Sequence, residues 1–220
     1  MRRGSPPAAM VWVGIAGVLG FVISAVFSSM LKFPRAPFVL VHAVGSVALA
    51  AVFFRGRGLH VPGPARQRTA AALAAGLLFG GILVASILSG PGGASPTGIR
   101  LIAALGWYGL VYGAVDALLL TILPVLAVRD GWGPAGTIGE RLRWGGAALA
   151  ASLLVTALYH AGFAEYRGIA LLQPLIGNTV VTAGYLLTGN AATPLVTHVL
   201  MHAAAVAHGM EATAQLPPHY

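Results

Sequence analysis

Cysteine is absent from the 220 residues, which excludes disulfides, iron–sulfur ligation and thiol catalysis. Charge is scarce as well: 8 % of residues are charged, against about 25 % in a soluble domain. The scarcest charge is negative, five Asp and Glu against 13 Lys and Arg. The resulting formal charge of +8 sits in short loops. It is therefore read as a signal of membrane orientation and not as a nucleic-acid surface.

What is abundant is apolar sequence, 57 % hydrophobic with a mean hydropathy of +0.83. Several long runs carry no charge at all. Together they predict an all-α, polytopic transmembrane helix bundle of about seven spans, one membrane-embedded domain over residues 1–220. The spans are expected at 10–30, 37–54, 69–89, 101–128, 144–164, 168–188 and 191–210. The first run continues to Met30 without a small-residue cleavage site, so it reads as a retained span and not as a signal peptide. Pro34 and Pro37 are expected to keep the first connection out of a helix. Alternate connections carry nine Lys and Arg on one side against four on the other. This places the N-terminus in the cytoplasm and the C-terminus outside, in a bacterial plasma membrane.

Ionisable groups inside apolar runs are functional candidates, because lipid offers them no partner. The stretch 188–209 carries two well inside its apolar run, His198 and His202, four residues apart and so on one helix face. Asp116 is the only acid in the middle of a span. It reads either as a neutral carboxyl bonded to a neighbouring helix or as a catalytic base or metal ligand. His160 is a candidate if it shares a cavity with His198 and His202. Counted along the spans, however, it lies roughly 7–13 Å from them in depth at 1.5 Å per residue. His42 and His208 fall nearer span ends and read as interfacial; His60 and His219 lie outside the spans. Asn178 can bond across helices or line a cavity. Gly109 and Gly113, with other small residues, read as close-packing positions. Gly189 is expected in a left-handed turn that Asn190 follows as a cap. The 217–220 tail is expected to fray.

As a donor set, Asp116, His160, His198 and His202 suit Zn²⁺ or another first-row divalent metal, by their imidazole and carboxylate chemistry. The same four are the candidate catalytic residues. The partners expected are the lipid bilayer and a membrane-associated peptide or protein, with no nucleic acid.

Thr182-Ala183-Gly184-Tyr185-Leu186-Leu187-Thr188-Gly189-Asn190, then Pro194-Leu195, His198 and a polar residue at 202, resemble the closing motif of the CPBP family. These are the CAAX-protease and bacteriocin-processing membrane proteins. The resemblance covers residues 101–210. Val115-Asp116 stands where that family has paired glutamates, and Leu120 or Thr121 stands at its arginine. Thr156-x3-His160 takes the place of Phe-x3-His, and His198-x3-His202 that of His-x3-Asn. The resemblance implies an intramembrane endopeptidase that cleaves a membrane-associated peptide or a prenylated protein. In such an enzyme an acid and a histidine activate water while the last motif steadies an oxyanion. The alternatives are a catalytically inactive CPBP-like membrane scaffold and a small metal-binding membrane protein.

Overall fold

The structure is a computed structural model, and the residues it describes are 5–57, 66–133, 136–209 and 216–217. Most of the basic loop expected between the second and third spans lies outside them. Among the described residues there is no strand and there are seven long helices: α1 (Pro6–Met30), α2 (Arg35–Arg57), α3 (Arg66–Leu88), α4 (Gly98–Trp132), α5 (Ile138–Ala161), α6 (Gly168–Thr188) and α7 (Ala192–His208). The first six are long and apolar enough to cross a bilayer. The chain is an all-α integral membrane protein. α7 has 17 residues, about 25 Å at 1.5 Å per residue, shorter than a hydrocarbon core of about 30 Å. The seventh expected span is thus a short helix held inside the bundle.

The helices start where their sequences allow. Pro6 and Pro7 open α1, where a missing N–H costs nothing. Pro37 lies inside the first turn of α2 for the same reason, so the expectation that it blocks helix there is corrected. At the start of α5, the Thr137 hydroxyl accepts from the Glu140 N–H at 3.2 Å and the Glu140 carboxylate accepts from the Thr137 N–H at 3.0 Å, a reciprocal cap.

α4 is the axis. In its most apolar window 78 % of residues are buried, against 28–33 % for the other five spanning helices. Its 35 residues exceed the expected 101–128 at both ends. Leu105–Val111 and Ala117–Ile122 wind in wide turns with i→i+5 bonding, and Asp116 lies in the ordinary helix between them. Such widened turns recur at functional positions. Pro124, lower on the helix, has no N–H for the Leu120 carbonyl. That carbonyl accepts instead from the Ser152 hydroxyl of α5 at 2.6 Å.

Gly109 and Gly113 set the distance between α4 and α7, and a Cβ on Gly109 would meet Ala203 Cα at 3.2 Å. A Cβ on Gly113 would meet Val199 Cα at 2.9 Å and the His198 carbonyl oxygen at 3.0 Å, so only glycine permits this approach. On its other side α7 is tied to α3, with Thr193 Oγ1 donating to the Ala72 carbonyl at 3.0 Å and Thr197 Oγ1 to the Gly76 carbonyl at 3.2 Å. The turn leading into α7 is left-handed at Gly189, φ 63° and ψ 15°. Asn190 Oδ1 then accepts from the Ala192 N–H at 3.0 Å. His198 and His202 are presented to α4 by this combination of turn, cap and close packing.

The tail departs from expectation. Leu216 and Pro217 are buried, and the Arg35 Nε–H donates to the Pro217 carbonyl at 2.7 Å. The residues flanking them lie outside the described residues.

Candidate functional site

Asp116 sits between two imidazoles. Its Oδ1 accepts from His42 Nε2 of α2 at 2.9 Å. Its Oδ2 lies 3.2 Å from His202 Nε2 of α7. The second contact is within ion-pair range, but the ring N–H is not aimed at the oxygen well enough to make a hydrogen bond. Asp116, His42 and His202 are at most 3 % exposed. One carboxylate oxygen is thus hydrogen-bonded and the other lies within ion-pair range of a nitrogen, which is how a carboxylate is kept in an apolar interior.

Sequence reasoning missed His42. Its reading as an interfacial group is overturned, because it is fully buried and is the best-aligned partner Asp116 has. A signal was present. Phe38, His42 and Ser46 recur every four residues, and all three are buried, so the inward stripe of α2 carries two polar groups. His42 stacks on Tyr159 at 4.9 Å between centroids and meets the edge of Tyr112 at 5.8 Å. Tyr112 in turn lies 4.7 Å from the His202 ring. The two tyrosine hydroxyls are 3.0 Å apart.

The expected residues Asp116, His160, His198 and His202 all line one cavity of about 440 Å³, together with Tyr112, Thr156 and Asn178. His160 shares this cavity in spite of the depth offset counted along the spans. His198 Nδ1 is 3.2 Å from the Pro194 carbonyl oxygen and His160 Nδ1 is 2.9 Å from the Thr156 carbonyl oxygen, each one helical turn back. A carbonyl only accepts, so both Nδ1 atoms carry hydrogen. In the neutral rings Nε2 is then the lone-pair nitrogen. The His198 and His202 rings are stacked 6.1 Å apart at 25°. His160 is half-buried and is packed edge-on by Tyr159 and Tyr166. Tyr166 lies in the connection outside the spans. Burial, reinforced by Glu165, pushes its hydroxyl above the ordinary tyrosine value, so it stays a neutral donor.

Beside this cluster lies a second polar group of another kind. Asn178 Nδ2 donates to Ser152 Oγ at 2.9 Å and to Thr156 Oγ1 at 2.6 Å, and Asn178 Oδ1 accepts from Thr121 Oγ1 at 2.8 Å. Asn178 thus does both things expected of it, bonding across helices and lining the cavity. Leu120 and Thr121 are both buried.

A metal was expected on Asp116, His160, His198 and His202. Among the described residues, no three His, Asp or Glu side chains are placed to hold one ion. The reason is visible in the donors: both oxygens of Asp116 are turned to His42 and His202, and the His198 and His202 rings lie face to face without converging. As arranged, this set does not fit a resident ion. No protein-family model, curated protein or solved structure matches this chain.

Proposed function

We propose that the chain is an intramembrane hydrolase of the CPBP type, acting on a peptide bond of a membrane-associated peptide or protein. The observation that carries this reading is one cavity holding a buried carboxylate between imidazoles and a further imidazole, His198, whose Nδ1 faces the Pro194 carbonyl. His198 Nε2 takes a proton from water as the water oxygen attacks the carbonyl carbon. The same proton then goes to the departing amine nitrogen. Asp116 is not assigned as the base, since its Oδ1 is hydrogen-bonded to His42 and its Oδ2 faces His202 at ion-pair range. It holds His202 beside His198 and supplies the negative charge that steadies an imidazolium. For the oxyanion, Tyr112 is the donor. One hydroxyl hydrogen of the Tyr112–Tyr159 pair lies between them, and with Tyr159 donating, the Tyr112 hydrogen is left for the cavity. His160 faces the same space from α5 and orients water.

The test is reconstitution in lipid nanodiscs with a mixture of membrane-embedded and lipidated peptides, read by mass spectrometry. New termini are expected from the native chain and not from His198→Ala of equal melting temperature. Cleavage by both would mean that the activity is a contaminant. Cleavage by neither, with the fold intact, would leave the scaffold reading, which the missing second acid and arginine favour. We further place the N-terminus in the cytoplasm, on the nine-to-four bias of basic residues. A reporter fused ahead of α1 should read as cytoplasmic, and an external signal would reverse the orientation.

A further inference from the structure

One wall of the cavity is made by the chain's own C-terminal tail. Leu216 is 3 % exposed and Pro217 is buried, and both line the space that also holds Asp116 and His198. What fixes them is Arg35, the first residue of α2. This arginine is 8 % exposed, donates Nε–H to the Pro217 carbonyl at 2.7 Å, and lies 5.9 Å from the centre of the Tyr108 ring. The contact is to a backbone carbonyl, so it reads main chain and not a particular side chain. Leu216 contributes an aliphatic side chain to the apolar core. Pro217 has no N–H to strand in an apolar seat. An aliphatic residue followed by a carbonyl that meets a buried guanidinium is what an apolar peptide would also supply.

We propose that Leu216–Pro217 is an internal competitor, seated where an apolar segment of a peptide substrate binds with its carbonyl on Arg35. Rearrangement of the tail then precedes access to His198. This rests on the reading of the cavity as a peptide site. Binding is measured here and not cleavage, so a seat without hydrolysis and hydrolysis without this seat give different results.

The probe is a fluorescent peptide with the sequence of residues 213–220, titrated in detergent by anisotropy. A chain ending at Gln215 should bind it at least tenfold more tightly than the full chain. Leu216→Asp in the full chain, which keeps the full length but cannot bury the side chain, should bind it as the shortened chain does. Arg35→Gln in the shortened chain should remove the gain, as should a peptide with aspartate in place of its leucine. Equal binding by full and shortened chains of equal melting temperature would overturn the proposal, as would a gain that survives Arg35→Gln. Collapse of both tail variants would also overturn it, since the tail would then be a strut of the fold.

Discussion

Two polar clusters lie side by side in this apolar bundle, and they are built differently. Around Asn178 every hydrogen has one acceptor: Thr121 donates to the amide oxygen, the amide donates to Ser152 and Thr156, and these donate to the Leu120 and Ser152 carbonyls. Thr182 completes the set at 2.9 Å from Ser152 Oγ. Nothing is left over, and nothing in it ionises. Around Asp116 the reverse holds. His42 Nδ1 and both His202 nitrogens are buried without a hydrogen bond, and His198 keeps a bare Nε2. A closed neutral network in lipid fastens helices together. An ionisable cluster with unspent hydrogen-bonding capacity is costly to keep, and chemistry is the return that such a cost permits.

If that contrast is right, mutations should separate the clusters. The largest effect is expected at His198. His198→Ala should lower hydrolysis about 10²–10⁴-fold, the usual worth of a general base, with little change in thermal melting. Asn178→Ala should do the opposite. It leaves the Thr121 hydroxyl without its acceptor and the Thr156 oxygen without its donor, so the bundle should lose about 1–3 kcal/mol. The fraction still folded should hydrolyse within severalfold of the native rate, since Asn178 spends all of its hydrogens on protein. Equal losses of rate and stability in both variants would merge the two clusters into one.

His42→Ala sharpens the comparison from the other side. Read from sequence, His42 would serve as an inert control. In the structure it holds one oxygen of Asp116, so its removal should destabilise by about 1–3 kcal/mol and also lower the rate. Melting and rate unchanged from the native chain would detach α2 from the site. The smallest effect is expected outside both clusters, at the turn that presents α7. Gly189→Val places a branched side chain at φ 63°, which costs about 1–2 kcal/mol. An unchanged melting temperature would show that the turn relaxes freely.

Much of this was legible in the sequence, and the rest was hidden for identifiable reasons. Long uncharged runs gave the helices, because a membrane leaves few other solutions for the backbone. The i, i+4 spacing of His198 and His202, and the isolation of Asp116, pointed to the same interior. His42 was misread because depth was counted from a span start at 37, whereas α2 begins at Arg35 and runs inward past a proline in its first turn. Tyr112 and Tyr159 carry no sequence signal, since aromatic residues are ordinary in such helices. The closed network around Asn178 needs Ser152, Thr156 and Thr121 from two other helices, and only packing brings them together. The buried tail was missed because polar neighbours and prolines read as an end that frays.

The central claim is that the cavity holds a neutral His198 whose bare nitrogen is Nε2. Imidazole ¹⁵N shifts of histidine-labelled protein in nanodiscs measure this directly, with His198→Gln and His42→Gln assigning the signals. His198 should appear protonated at Nδ1 and bare at Nε2, and His42 protonated at Nε2. A His198 signal protonated at Nε2, or charged at neutral pH, would contradict the claim.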